Sequence, residues 1–181
     1  MNLEPQNQIS IELLNASTSL EHLPALVEIL QDSINSGASI GYLPPFSDSD
    51  ARAYWAGVLE KVKSENVLLW IARDADLGVV GTIQLELASK TNALHRAEVC
   101  KLLVHQKARR RGVARALMLE LLRVAREINR TTLVLDTREG DPSNNLYQSL
   151  GFQISGLIPA FVTNELGEFQ ATVIYFKLLN A

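Results

Sequence analysis

The chain has almost no sulfur with which to staple a fold. Its one cysteine, Cys100, excludes an internal disulfide and fits a reducing compartment such as the cytoplasm. No uninterrupted apolar run is long enough to span a bilayer, so no membrane segment is expected. Met1-Asn2-Leu3-Glu4-Pro5-Gln6 lacks the basic and apolar regions of a secretory leader. The three histidines, His22, His95 and His105, are scattered without zinc-like Cys/His spacing, and no metal site is expected. Repeats, low-complexity tracts and linkers are missing too. A positive balance is also absent: the net charge of −3 argues against general affinity for nucleic acid. What remains is 181 residues, 47% hydrophobic and 20% charged, the profile of one globular domain over residues 1–181.

Apolar spacing gives a sequence of elements. Residues 9–14 alternate as a first strand. Leu23, Leu26, Val27, Leu30 and Ile34 recur at the spacing of one buried helix face. The segment from Gly37 to Pro45 breaks that helix, and Asp48 or Ser49 is expected to cap a second one through Ala53, Trp55, Val58, Leu59 and Val62. Strands are expected at 67–73, 79–87 and 97–104. A helix follows with Val113, Leu117, Leu121, Val124 and Ile128 on one face. Residues 131–136 make the next strand, which Asp136 terminates. Asp141-Pro142 reads as a cap with proline at the first helical position, and Gly151 as the stop of a short helix. Strands at 152–157 and 171–178 close the chain. The order β, α, α, β, β, β, α, β, α, β, β describes a mixed α/β sheet with helices on its faces.

One stretch of this acidic chain is strongly basic. From Lys101 to Leu119 there are cations at Lys101, Lys107, Arg109, Arg110, Arg111 and Arg115 and no acid. Within it, Arg109-Arg110-Arg111-Gly112-Val113-Ala114 follows an apolar strand and opens a helix. Such a turn offers free backbone N–H groups at the positive end of a helix dipole, a site for an anion, most often phosphate. At Gly112 the missing Cβ lets a ligand come close to the main chain.

Three motifs in order carry a family resemblance. His95-Arg96-Ala97-Glu98-Val99-Cys100-Lys101-Leu102-Leu103-Val104 leads into the arginine turn, Leu133-Val134-Leu135-Asp136-Thr137 follows it, and Asn145-Leu146-Tyr147-Gln148-Ser149-Leu150-Gly151-Phe152 comes last. Together they resemble the GNAT superfamily of acetyl-CoA-dependent N-acetyltransferases over about residues 67–178. Within it, Arg-Ala-Glu-Val-x-Lys-Leu-x-Val, Leu-Asp-Thr-x-x-Gly and the stretch Ala171 to Lys177 resemble the tabtoxin-resistance branch, whose members acetylate a small toxic amino acid. The implied fold is acyl-CoA N-acyltransferase-like, with a mixed, mainly antiparallel central sheet flanked by helices. Acetyl-CoA is the implied co-substrate, a small amine the implied partner, and a homodimer the implied assembly. Where many members carry an asparagine that touches the cofactor, this chain has Gly140, and that contact is not carried over.

The resemblance also distributes roles. The diphosphate would sit over the main-chain N–H groups of Arg109 to Ala114, with arginine side chains, Arg115 included, adding charge-assisted hydrogen bonds. The pantetheine arm would lie beside Leu102, Leu103 and Val104, with backbone N–H groups near Leu102 as an oxyanion hole. Glu98 is the candidate base, on a strand face expected to include Cys100, Leu102 and Val104. A carboxylate near pKa ~4.3 matches an amine near ~10 poorly, and a water relay or a lowered amine pKa would ease the mismatch. Asp136 is the second carboxylate, sharing a water with Glu98 in the tabtoxin-resistance-like reading. Tyr147 is the candidate acid for the departing thiolate. Tyr42 and Phe46, in the variable N-terminal half, are candidate acceptor contacts. Cys100 lacks a His-Asp-type partner in sequence and reads as a small buried hydrophobe. A protein or peptide acceptor and a non-catalytic CoA-binding module stand as alternatives.

Overall fold

The computed structural model describes residues 9–179; residues 1–8 and 180–181 of the expected domain lie outside them. Seven strands are described: β1 (Ile9–Leu14), β2 (Val67–Asp74), β3 (Gly78–Leu87), β4 (Arg96–Val104), β5 (Thr132–Arg138), β6 (Gln153–Thr163) and β7 (Phe169–Leu178). They form one sheet ordered β1-β2-β3-β4-β5-β7-β6. β4 and β5 run parallel, and the other neighbouring pairs are antiparallel. This is the mixed, mainly antiparallel sheet that the resemblance implies.

The helices are α1 (Leu23–Asn35), α2 (Asp48–Lys63), α3 (Val113–Glu127) and α4 (Ser143–Ser149). Each covers one face with an apolar stripe. Leu26, Leu30 and Ile34 of α1 and Trp55 of α2 pack on Leu69 and Ile71 of β2. The indole N–H of Trp55 donates to the Leu26 carbonyl at 2.9 Å, joining α1 to α2 inside that layer. On the other face, Val113, Leu117 and Leu121 of α3 and Tyr147 of α4 pack on Ile83, Leu133 and Tyr175. Each fully buried leucine in these layers contributes about 1.5–3 kcal/mol.

Several boundaries differ from the sequence reading. The cap of α2 is Ser47, whose hydroxyl accepts from Asp50 N while the Asp50 side chain accepts from Ser47 N; Asp48 pairs with Arg52 instead. Asp141 does not cap α4 with its carboxylate, which lies 2.8 Å from Arg138 Nη2. β5 runs two residues past Asp136 because β7 pairs with it as far as Arg138. β6 runs on to Thr163, through Gly156 and Pro159 and past the expected end at residue 157. It is an outer strand with register shifts near both residues, a position where neither breaks the sheet. Ile128 follows the last turn of α3 and is 39% exposed, outside the core stripe.

One irregularity sets the site. Thr82 and Gln84 of β3 pair with Leu103 and Cys100 of β4, so β4 fits an additional residue into the ladder. Lys101 stands in this bulge with φ 49°. A single inserted residue exchanges the two faces of a strand. Ala97 and Val99 point to the α3 layer, and beyond the bulge Leu102 and Val104 do, while Leu103 is buried beneath α1 and α2. Glu98 and Cys100 therefore share a face with Leu103, and the expected shared face with Leu102 and Val104 is corrected.

Candidate active site

The loop between β4 and α3 presents backbone donors. Gly112 is the N-cap of α3 with φ 81°, and Arg110 also takes a positive φ of 63°. The N–H groups of Arg110, Gly112, Val113, Ala114 and Arg115 have no acceptor among the described residues. A Cβ built on Gly112 would meet nothing within 4 Å. Positive dipole, converging amides and free approach together fit a diphosphate.

The arginine side chains are used differently from what the sequence suggests. Arg109 Nε donates to Val104 O at 3.1 Å and its Nη2 to Ser36 Oγ at 2.6 Å. Arg111 Nη2 lies 3.1 Å from Oδ2 of Asp74, a carboxylate only 1% exposed, at ion-pair distance but without hydrogen-bond alignment. Arg115 Nη1 donates to Ser149 Oγ at 2.9 Å. These three hold the loop's shape, and Arg110 is the arginine whose side chain has no partner among the described residues. Anion contacts from this loop come mainly from main chain.

Beside the loop the sheet splits. The parallel pairing of β4 with β5 consists of Arg96 with Thr132, Ala97 with Leu133 and Glu98 with Val134. From Val99 to Val104, β4 has no ladder on its β5 side, and the two strands diverge into a wedge. Leu102 and Val104 flank it. An extended chain carrying amides can pair with such an open edge as another strand would.

Two carboxylates stand at the point of divergence on one face. Glu98 is the last residue of β4 paired with β5, and on its other side it pairs with Glu86 of β3. Glu86 is held by Lys61 Nζ at 3.0 Å. Partial desolvation pushes the Glu98 carboxyl above its ordinary pKa, and the negative charges of Glu86 and Asp136 push it further; Cys100 and Arg96 oppose this. Asp136 is surface-accessible, and its Oδ2 accepts from the hydroxyl of buried Thr172 at 2.8 Å. That bond fixes the carboxylate's orientation and leaves lone pairs for another donor.

Tyr147 approaches from beneath β5. It is 6% exposed, with ring centroids 5.9 Å from both Phe152 and Tyr175. Its hydroxyl has no hydrogen-bond partner among the described residues. Burial, followed by the charges of Asp136 and Asp141, raises its pKa, so it stays a protonated donor. Cys100 is pushed up to about 12, first by burial and then by Glu98, and a thiol held protonated is a poor nucleophile.

A cavity of about 820 Å³ opens between the α1–α2 loop and the β6–β7 hairpin. Tyr42, Arg138, Phe161 and Phe169 are among its walls. Phe46 does not line it; its ring lies against that of Tyr42, with centroids 4.7 Å apart and planes tilted by 47°.

A sequence profile described as the acetyltransferase (GNAT) family matches residues 25–152, well over half of the chain. This chain belongs to the GNAT acetyltransferase family. It is an acetyl-CoA-dependent N-acetyltransferase. Solved structures agree on the fold. A provisionally assigned phosphinothricin N-acetyltransferase has 22% identity and a TM-score of 0.79, over 96% of this chain and 100% of that one. A ribosomal-protein-alanine N-acetyltransferase from Brucella melitensis has 23% identity and a TM-score of 0.76, over 94% and 99%. A provisionally assigned acetyltransferase from Salmonella typhimurium, solved with its cofactor acetyl-CoA, has 16% identity and a TM-score of 0.76, over 96% and 95%.

Some features of this GNAT site escaped the sequence. The bulge at Lys101 left no composition signal beyond a lysine inside an apolar strand. Arg138 stands two residues after Asp136, and its part in the cavity wall depends on β5 running on past the expected end. The β6–β7 wall came from a strand read as ending at residue 157.

Proposed function

We propose that this enzyme moves the acetyl group of acetyl-CoA to the primary amine of a small molecule, an amino acid or an amino-acid-like compound, by direct attack in a ternary complex within one domain. Acetyl-CoA, when bound, supplies a thioester carbonyl open to attack by a free amine. The amides of Arg110 and of residues 112–115 would hold its diphosphate, and the open edge of β4 from Leu102 to Val104 its pantetheine arm. Glu98 and Asp136 take the proton from the acceptor ammonium, directly or through a shared water. The raised pKa of Glu98 narrows the mismatch between carboxylate and amine. Backbone N–H groups near Leu102 stabilise developing negative charge on the carbonyl oxygen. The Tyr147 hydroxyl returns a proton to the departing sulfur.

The observation that carries this reading is the convergence of two carboxylates, from neighbouring parallel strands, at the point where those strands part. A mere CoA-binding module needs neither acid. The deciding experiment incubates the enzyme with acetyl-CoA and a panel of free amino acids, small amines and peptides, following CoA thiol release. Saturable turnover with free small amines is expected. Turnover confined to peptides would transfer the assignment to a protein acceptor, and no turnover with any amine would overturn it.

A homodimer through β6 belongs to the same proposal. This outer strand has no charged residue from Gln153 to Thr163, and it exposes Ile154, Leu157 and Ile158. Free sheet edges in monomers are usually protected by charge, and a second copy of the same edge is a self-complementary cover. Sedimentation is expected to give twice the 20.0 kDa chain mass. Ile158→Lys should shift the protein to monomer, and a wild-type monomer at tens of micromolar would remove the dimer.

A further inference from the structure

Lys101 carries a charge that the chemistry above does not use. Its position in the bulge directs its ammonium toward the α1–α2 loop, where Nζ donates to Ile40 O at 2.7 Å. The same nitrogen lies 5.9 Å from the Tyr42 ring centroid and 6.0 Å from that of Tyr54. Tyr54 is itself fixed by Gln84 Nε2, which donates to its hydroxyl at 2.9 Å. A Cβ on Gly41 would come within 4.0 Å of Nζ. Among the described residues no carboxylate lies within ion-pair distance of it.

A half-buried ammonium whose close contacts are a carbonyl and ring faces is costly, and an apolar side chain would fill the same space without that cost. Its surroundings suggest a purpose. Tyr42 is both its ring partner and a wall of the acceptor cavity. On the other side, Glu98 and Asp136 are close enough to act on its charge. Two acids therefore lie near one cation that has no ion-pair partner among the described residues, and Tyr42 connects that cation to the cavity wall. The basic side chain in the cavity wall itself, Arg138, is already matched: its Nη2 lies 2.8 Å from Asp141 and also donates to Gly37 O at 3.1 Å, and its Nη1 donates to Gln170 Oε1 at 3.2 Å.

We infer that Lys101 is the specificity-determining residue for the acceptor, whose carboxylate is the counter-charge that its ammonium lacks at ion-pair distance. The acids take the acceptor's amine while Lys101 takes its anion, so the preferred substrate is a small zwitterion. This deepens the proposed small-amine function and rests on it. Tyr42 and Tyr54 contribute by holding the ammonium where water competes weakly.

The test uses paired acceptors that share one amine and differ in one charge: free amino acids and their carboxamides, assayed by CoA release. Wild-type enzyme is expected to favour the acid. Lys101→Met should lower kcat/KM for the acids by about 10- to 100-fold, the worth of one charged hydrogen bond, with the carboxamides changing less than about threefold. Lys101→Arg should restore part of the preference. CoA affinity measured by calorimetry should be the same in all three proteins and shows that the variants are folded. An equal loss on acids and amides would make Lys101 a loop fastener only, and an unchanged preference would also overturn the inference. If wild-type enzyme turns over peptides and neither member of any pair, the small-amine reading itself has failed, a result distinct from both.

Discussion

Glu98→Gln is expected to lower kcat/KM about 100- to 1,000-fold, the usual worth of a positioned general base. CoA affinity should stay unchanged, because Glu98 stands on the acceptor side of the wedge. The fold should tolerate the change, since Glu98 is accessible and the substitution removes a like charge opposite Glu86. The pH profile separates this outcome from a structural loss. Base catalysis needs the ionised carboxylate, and the Glu98 pKa is raised. Wild-type activity should therefore rise with pH along a limb lying above the ordinary carboxylate value of ~4.3, and Glu98→Gln should lose that limb. Asp136→Asn should cost less alone. The double variant should fall short of the product of the two losses, because both acids serve the same proton transfer from the acceptor. Full turnover by Glu98→Gln with an unaltered pH profile would remove Glu98 from the chemistry.

Gly112→Asp should weaken CoA binding by about 100-fold or more, roughly 2.7 kcal/mol. Aspartate enters the left-handed region more readily than most residues, and its Cβ would stand in open space, so the folding cost is small. The carboxylate would face the amides proposed to hold the diphosphate. Gly112→Asn supplies the same shape without the charge. Calorimetry with CoA should rank wild type tightest, the Asn variant in the middle and the Asp variant weakest. Equal affinity in all three would place the diphosphate elsewhere.

Much of the fold was legible because its elements are amphipathic. The 3- and 4-residue spacing of α1 and α3 and the alternation of the inner strands encode which face is buried, and the structure buries those faces. Legibility failed where long-range pairing overrode local signals. β6 runs on past residue 157 because β7 resumes the ladder at Val162 and Thr163. The cap of α2 moved to Ser47 because Asp50 completes a reciprocal pair with it. At the site, Glu98 and Asp136 stood in readable motifs, yet the face they share could not be read. Strict alternation places Glu98 with Leu102, whereas the inserted residue at position 101 exchanges the faces. Arg109 and Arg111 look like phosphate ligands in the sequence because their partners, Ser36 and Asp74, are far away along the chain.

The parting of β4 from β5 has a consequence for the molecule's lifetime. Three residue pairs are the whole ladder across this seam, which divides the sheet into a four-strand and a three-strand half. A co-substrate lying in the seam would act as mortar between the halves. By mass action, acetyl-CoA at 100 times its dissociation constant would add about 2.7 kcal/mol to the folded state. The abundance of such a protein in a cell would then follow its acetyl supply, with starved copies opening along this line first.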